Sequence, residues 1–144
     1  MIRRAGFAGT WYTERKDELA AQLQSWLQQA DVCCPEAARA IIAPHAGYSY
    51  SGPTAAWAYK HVGRDVKRVF VLGPSHNVYL DNCAVTRCVS YATPLGDIPI
   101  DTAVRSELLA SKAFGEMELD TDEGEHSIEL HLPYIVQVMG GARF

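Results

Sequence analysis

The sequence predicts an α/β fold, a mixed and largely parallel central sheet with helices on both faces. Three observations carry this. Short apolar runs alternate with segments of helical spacing along the 144 residues. Residues 38–72 read strand–helix–strand, which makes their two strands parallel neighbours. The stretch "TPLGDIP" at 93–99 is turn-rich and sends the chain back as a hairpin.

Each element has a local reason. Residues 14–30 place Leu19, Leu23, Trp26, Leu27 and Ala30 at helical spacing, with Thr13 as the N-cap. "ARAIIA" at 38–43 is a short apolar strand stopped by Pro44. A helix follows over 54–62, with Pro53 in its first turn. "RVFVL" at 68–72 is a second strand, stopped by Gly73-Pro74, and "CAVTRCVSY" at 83–91 alternates as a third. Asp101 caps a helix that runs to about Lys112. Residues 116–120 suggest another strand. The last helix, 125–139, turns Ile128, Leu132, Ile135 and Met139 inward and is bent by Pro133. "VMGGARF" at 138–144 ends that helix, stops at Gly-Gly and opens another strand, so the chain looks cut.

Composition bounds the function. One domain fits 144 residues, and 48% hydrophobic content supplies a core. The net charge of −4 argues against a protein built to bind nucleic-acid phosphates. No run reaches the roughly 18 apolar residues of a membrane span. "MIRRAGFAGTWY" has no apolar core of a secretory leader. Cys33, Cys34, Cys83 and Cys88 lack zinc-knuckle spacing and read as the free thiols of an intracellular protein. The expected compartment is the cytoplasm, with the nucleus second.

Two stretches end alike. "IIAPHAGYSYSG" (41–52) and "FVLGPSH" (70–76) each run from an apolar strand through proline to a histidine. Ligands of parallel α/β sheets sit outside the carboxyl ends of the strands. His45 and His76 therefore converge as candidate metal ligands; two imidazoles with open positions suit a divalent first-row ion. The bland alternative is that each caps its own loop. Asp81, Glu125 and Cys83 are candidate third ligands, and nothing in the sequence selects among them.

"DEGEHSIELHLPY" (122–134) is the other chemical cluster. Glu125 and His126 are candidate catalytic residues, an acid–base pair at a helix start. Glu125 and Glu129, four apart, would share a face. His131 reads as structural at the surface or half-buried, and His61 as structural. Trp11 and Tyr12 either staple the first helix or wall a pocket with Tyr48 and Tyr50. Trp26 and Trp57 read as core.

"AGTWY", "RAIIAPHAGYSYSGPTAAWAYK", "FVLGPSHNVYL", "TPLGDIPID" and "TDEGEHSIELHLPYIVQVM" together resemble the Memo (mediator of cell motility) family, in order across 1–144. Members are considerably longer. The resemblance therefore implies a single Memo-like domain that is the N-terminal portion of the family pattern, cut at its C-terminus. It implies an incomplete fold similar to class III extradiol dioxygenases, the non-haem iron enzymes of the protocatechuate type. It implies iron or copper held by His45 and His76, with the third ligand, a cysteine, outside this chain. Trp11 and Tyr50, with the two histidines, would form a ligand-binding wall. The implied function is a signalling or redox-linked binding protein of cell motility that takes a metal and a phosphotyrosine-containing peptide or receptor tail. The alternative is a metal-dependent extradiol-type dioxygenase or another oxidoreductase. Two ligands alone predict weak metal binding, and a sheet cut mid-fold predicts self-association.

Overall fold

The computed structural model describes residues 1–34, 36–63 and 65–139. The α/β class holds. Strand β1 (Ile2–Arg3) lies parallel to β3 (Ser90–Tyr91), which pairs antiparallel with β4 (Ile98–Pro99). Strand β2 (Cys83–Thr86) lies parallel to β5 (Phe114–Met117), with Cys83 opposite Phe114 and Thr86 opposite Met117. The turn-rich stretch is the expected hairpin between β3 and β4.

Helix α1 (Lys16–Gln29) buries Leu19 and Leu23, the expected apolar stripe. Its cap position is Arg15 rather than Thr13, whose hydroxyl accepts from the Arg15 amide. Helix α2 (Tyr48–Tyr59) starts six residues before the expected 54, so Pro53 lies in its interior and not in its first turn. That proline removes one backbone donor. Gly52 beside it lets the Trp26 ring of α1 approach so closely that any Cβ would overlap the indole. Tyr134 completes the join by donating to the Gly52 carbonyl at 2.6 Å.

The 83–91 run breaks into β2 and β3 because the Thr86 hydroxyl accepts from the Cys88 amide, a bond that closes a turn. Asp101 caps α3 (Thr102–Ala110) as expected, accepting from Val104 N at 3.0 Å. The expected helix over 125–139 is instead α5 (His126–Glu129) and α6 (Leu132–Met139), preceded by α4 (Leu119–Gly124). Glu125 sits between α4 and α5 with extended backbone, and Pro133 occupies the first turn of α6.

The runs 38–43 and 68–72 are the main departure. Among the described residues neither run is a strand, and their backbone pairing is limited to an isolated bridge from Ala38 to Val62. A strand needs a partner ladder, and apolar composition alone does not supply one. Ile42 is 99% exposed and Leu72 81%, so the outward side chains of both runs meet no cover among the described residues. Trp57, expected in the core, is 44% exposed on α2. The expectation of a Gly-Gly stop and a new strand falls on Gly140–Phe144, outside the described residues.

The core has two parts. Leu19, Leu23, Tyr48, Ala56, Tyr59, Leu130, Tyr134 and Ile135 pack where α1, α2 and α6 meet. Cys88, Tyr91, Ile98, Leu132 and Val136 pack beneath the hairpin. Tyr59 and Tyr134 stack with ring centroids 4.7 Å apart. Every buried tyrosine hydroxyl in the first part has a partner, as burial of that group requires.

Candidate metal centre

One turn, residues 122–129, holds the site together. Arg3 of β1 is buried within it: its guanidinium donates to the Asp122 and Glu125 carbonyls at 2.7 and 2.8 Å. It also pairs with Asp122 Oδ1 at 3.0 Å and Glu129 Oε2 at 2.6 Å. Glu129 accepts from the amides of Gly6 and Phe7 and from the Tyr12 hydroxyl. Asp122 accepts from Thr86 and Tyr91 hydroxyls. The N-terminal segment is thereby fastened to the turn that presents Glu125 and His126.

The loop carrying His76 is fastened to the same turn. Ser127 Oγ donates to the Pro74 carbonyl at 2.8 Å, and Asn77 Nδ2 to the Gly124 carbonyl at 2.7 Å. Gly73 makes the approach possible: a Cβ there would stand 2.9 Å from Ser127 Cβ. The Glu125 carboxylate accepts from the His76 amide at 2.6 Å, from His76 Nδ1 at 2.8 Å and from the Ser127 amide at 2.9 Å. Burial raises the carboxyl pKa, but the His76 and Ser127 donors outweigh it and hold Glu125 at about 2.

The third arm of the arrangement is the His45 loop. Tyr48 N donates to the Trp11 carbonyl at 2.9 Å, and Ser51 Oγ to the Ala46 carbonyl at 2.6 Å. These bonds seat the loop over Trp11 as α2 begins.

The outcome is a three-histidine cluster. His45, His76 and His126 each offer a ring nitrogen, and these atoms lie within 4.8 Å of one another. The His76 and His126 rings stack with centroids 4.1 Å apart; His45 stands 5.4 Å from His76 and 5.7 Å from His126. Desolvation lowers the His126 pKa, and the neighbouring His76 lowers it further, so this imidazole favours the neutral, ligating form. Nitrogens about 2.0–2.1 Å from a common ion stand roughly 3.0–3.5 Å apart in cis or tetrahedral positions. A spread of at most 4.8 Å is of the same order. Its chemistry, three imidazoles, fits copper, iron or zinc. These residues could hold a metal.

The expected convergence of His45 and His76 is present. His126 is the addition: the sequence suggested an acid–base role beside Glu125, yet Glu125 bonds His76, and its distance to His126 Nδ1 is 3.8 Å. Glu125 and Glu129 diverge instead of sharing a face, one toward His76 and the other toward Arg3. Asp81 and Cys83 are exposed and stand outside the converging group. His131 is buried, not superficial; its Nδ1 lies 2.8 Å from the Tyr59 hydroxyl. Burial, and then the charge of His45, push its pKa down to about 4.

Trp11 meets the site, its ring 4.6 Å from His126 and 5.3 Å from Phe7. A shallow cleft is lined by Trp11, Ile42, Ala43, Pro44, His45, Ala46 and His126. Tyr50 is 86% exposed on the first turn of α2 and is not among the lining residues. Tyr12 and Tyr48 are core. Arg3 had no signal in the sequence beyond a basic pair near the start.

Fold and site define an α/β protein whose loops gather three imidazoles into a cluster fit for a divalent metal. Comparison with known proteins places it further: the family described as "Memo-like protein" matches residues 3–144, and the chain belongs to that family. It is 49% identical over 143 residues to "Protein memo-1 homolog" of Caenorhabditis elegans, covering 99% of this chain and 41% of that protein. It is 51% identical over 140 residues to "Protein MEMO1" of Xenopus tropicalis and 50% identical to that of Homo sapiens, covering 96% of this chain and 47% of each. The chain spans less than half the length of these relatives. The family read from the five motifs is the correct one. Among the described residues no helix is long and apolar enough to cross a membrane.

Proposed function

We propose that the chain is a metal-binding unit of a Memo-family protein, in which His45, His76 and His126 hold one first-row ion, copper or iron, facing the Trp11 cleft. The observation that carries this reading is the convergence of three ring nitrogens within 4.8 Å. On this reading three donors come from the chain itself, and binding is tighter than the weak two-ligand binding expected from sequence. A bound ion of this kind supplies Lewis acidity and one-electron redox chemistry. The chain's part is to orient three imidazoles, leave one side open to the cleft and shield another with the Trp11 ring. A redox-linked or signalling binding role follows more readily than ring-opening oxygenation. The non-haem iron oxygenases use a carboxylate ligand beside two histidines, and Glu125 commits both oxygens to His76 and Ser127. A phosphotyrosine-containing peptide would lie against Trp11, its phosphate toward the ion, since the lining residues include no lysine or arginine.

The test is elemental analysis after expression in metal-supplemented medium, with copper(II) titration of the wild type and His126→Ala. The expected result is one ion per chain and an affinity loss of more than about 100-fold in the variant, beyond the cost of an outer-shell change. Equal affinity in both proteins, or no ion bound by the wild type, overturns the reading.

A further inference from the structure

The Glu125 carboxylate receives three N–H groups: the His76 amide on Oε2, and His76 Nδ1 and the Ser127 amide on Oε1. Two of these are backbone donors, one to each oxygen. The group accepts in all three bonds, and His126 Nδ1, 3.8 Å from Oε1, is beyond hydrogen-bond reach. An imidazole nitrogen 2.8 Å from such an oxygen must carry its proton there. A neutral histidine protonated at Nδ1 is bare at Nε2. The carboxylate is almost wholly buried while the ring is partly exposed, with side-chain exposures of 7% and 38%. The rigid partner is therefore the carboxylate, and the ring is what it orients. His76 is gripped twice, by backbone and by ring, so its direction is fixed before any ligand arrives.

We propose that Glu125 is a positioning residue for the three-histidine centre: it fixes the His76 proton on Nδ1 and presents Nε2, unprotonated, to the cluster. It acts through His76 and is not itself a ligand. Metal-ligating histidines commonly have such an outer partner, which sets both tautomer and ring angle. The metal-affinity part of this inference rests on the proposed ligand set; the tautomer part does not.

Glutamine cannot replace Glu125 faithfully. It offers one oxygen to three N–H donors, so its amide nitrogen must face at least one of them. Turned with its oxygen toward Nδ1 and Ser127 it would keep the wild-type tautomer, so leucine, which offers no acceptor at all, is the variant that frees the proton from Nδ1. Aspartate keeps the charge on a shorter stem.

The experiment reads histidine tautomers in the metal-free protein, by long-range 1H–15N correlation spectra well above neutral pH, and then titrates zinc(II). Wild-type His76 is expected wholly in the Nδ1–H form. In Glu125→Leu the His76 signals move toward the Nε2–H form while those of His61 stay unchanged, and zinc affinity falls about 10–100-fold. Glu125→Asp is expected to recover part of the Nδ1–H population. Wild-type His76 in the Nε2–H form overturns the proposal without any variant having to fold. So does a Glu125→Leu protein whose tautomer changes but whose zinc affinity does not. Lost affinity with an unchanged tautomer also overturns it. A wild type with the expected tautomer that binds neither zinc nor copper sinks the proposed metal function and leaves the assignment of the His76 proton standing.

Discussion

Replacing Arg3 by methionine tests the buried network most directly. The Arg3 side chain is fully buried, and its guanidinium neutralises Asp122 and Glu129, at 3.0 and 2.6 Å, while bonding the carbonyls of Asp122, Glu125 and Arg4. Methionine fills comparable volume, so the loss is chiefly electrostatic. Removing one partner of a buried pair costs about 3–5 kcal/mol, because the remaining charge stays in a poor solvent. A single-domain protein has about 5–15 kcal/mol in total, so the expected drop in melting temperature is roughly 10 °C. The assay is urea unfolding of wild type, Arg3→Met, Glu129→Gln and the double variant. The coupling energy between Arg3 and Glu129 should exceed about 1 kcal/mol, the upper end for exposed pairs. The neighbouring pair Arg4–Glu123 is the control: Arg4 is exposed, and Arg4→Ala should change the midpoint far less. An Arg3→Met protein as stable as Arg4→Ala would refute the argument that this network fastens the N-terminal segment.

Two further predictions concern packing. His131 titrates near 4 in the folded state against 6.5 when free, so the unfolded chain binds more protons between those values. Stability is then full above pH 6.5 and falls as the pH drops through 4, by about 3 kcal/mol in all; urea midpoints measured from pH 7 to 4 should lose this slope in His131→Gln, and an unchanged slope would exclude His131 as its source. Ile42, Phe70 and Leu72 are 99%, 63% and 81% exposed side by side along the two unladdered runs, a surface that drives association. Light scattering should show concentration-dependent association of the 144-residue chain, relieved by Ile42→Lys with Leu72→Lys; a compact monomer at high concentration would count against it.

Much was legible along the chain because its causes are local. The apolar stripe of α1, the Asp101 cap, the hairpin at 93–99 and the twin proline–histidine ends depend on residues within a few positions of one another. These were enough for the α/β class and for the pairing of His45 with His76; the family comes from the resemblance of the five motifs, and His126 reads from sequence as an acid–base residue. Tertiary structure decided the rest. Arg3 meets its acidic partners across 119 and 126 residues of chain, and no periodicity records such a pairing. His126 joined the cluster because the backbone breaks at Glu125, turning that carboxylate to His76 and freeing the next imidazole to face His45. The runs at 38–43 and 68–72 have the composition of strands, but a strand exists only when a second backbone completes its hydrogen bonds. Sequence specifies what each residue favours by itself; which distant groups satisfy buried charges and open backbone is settled only when the chain closes on itself.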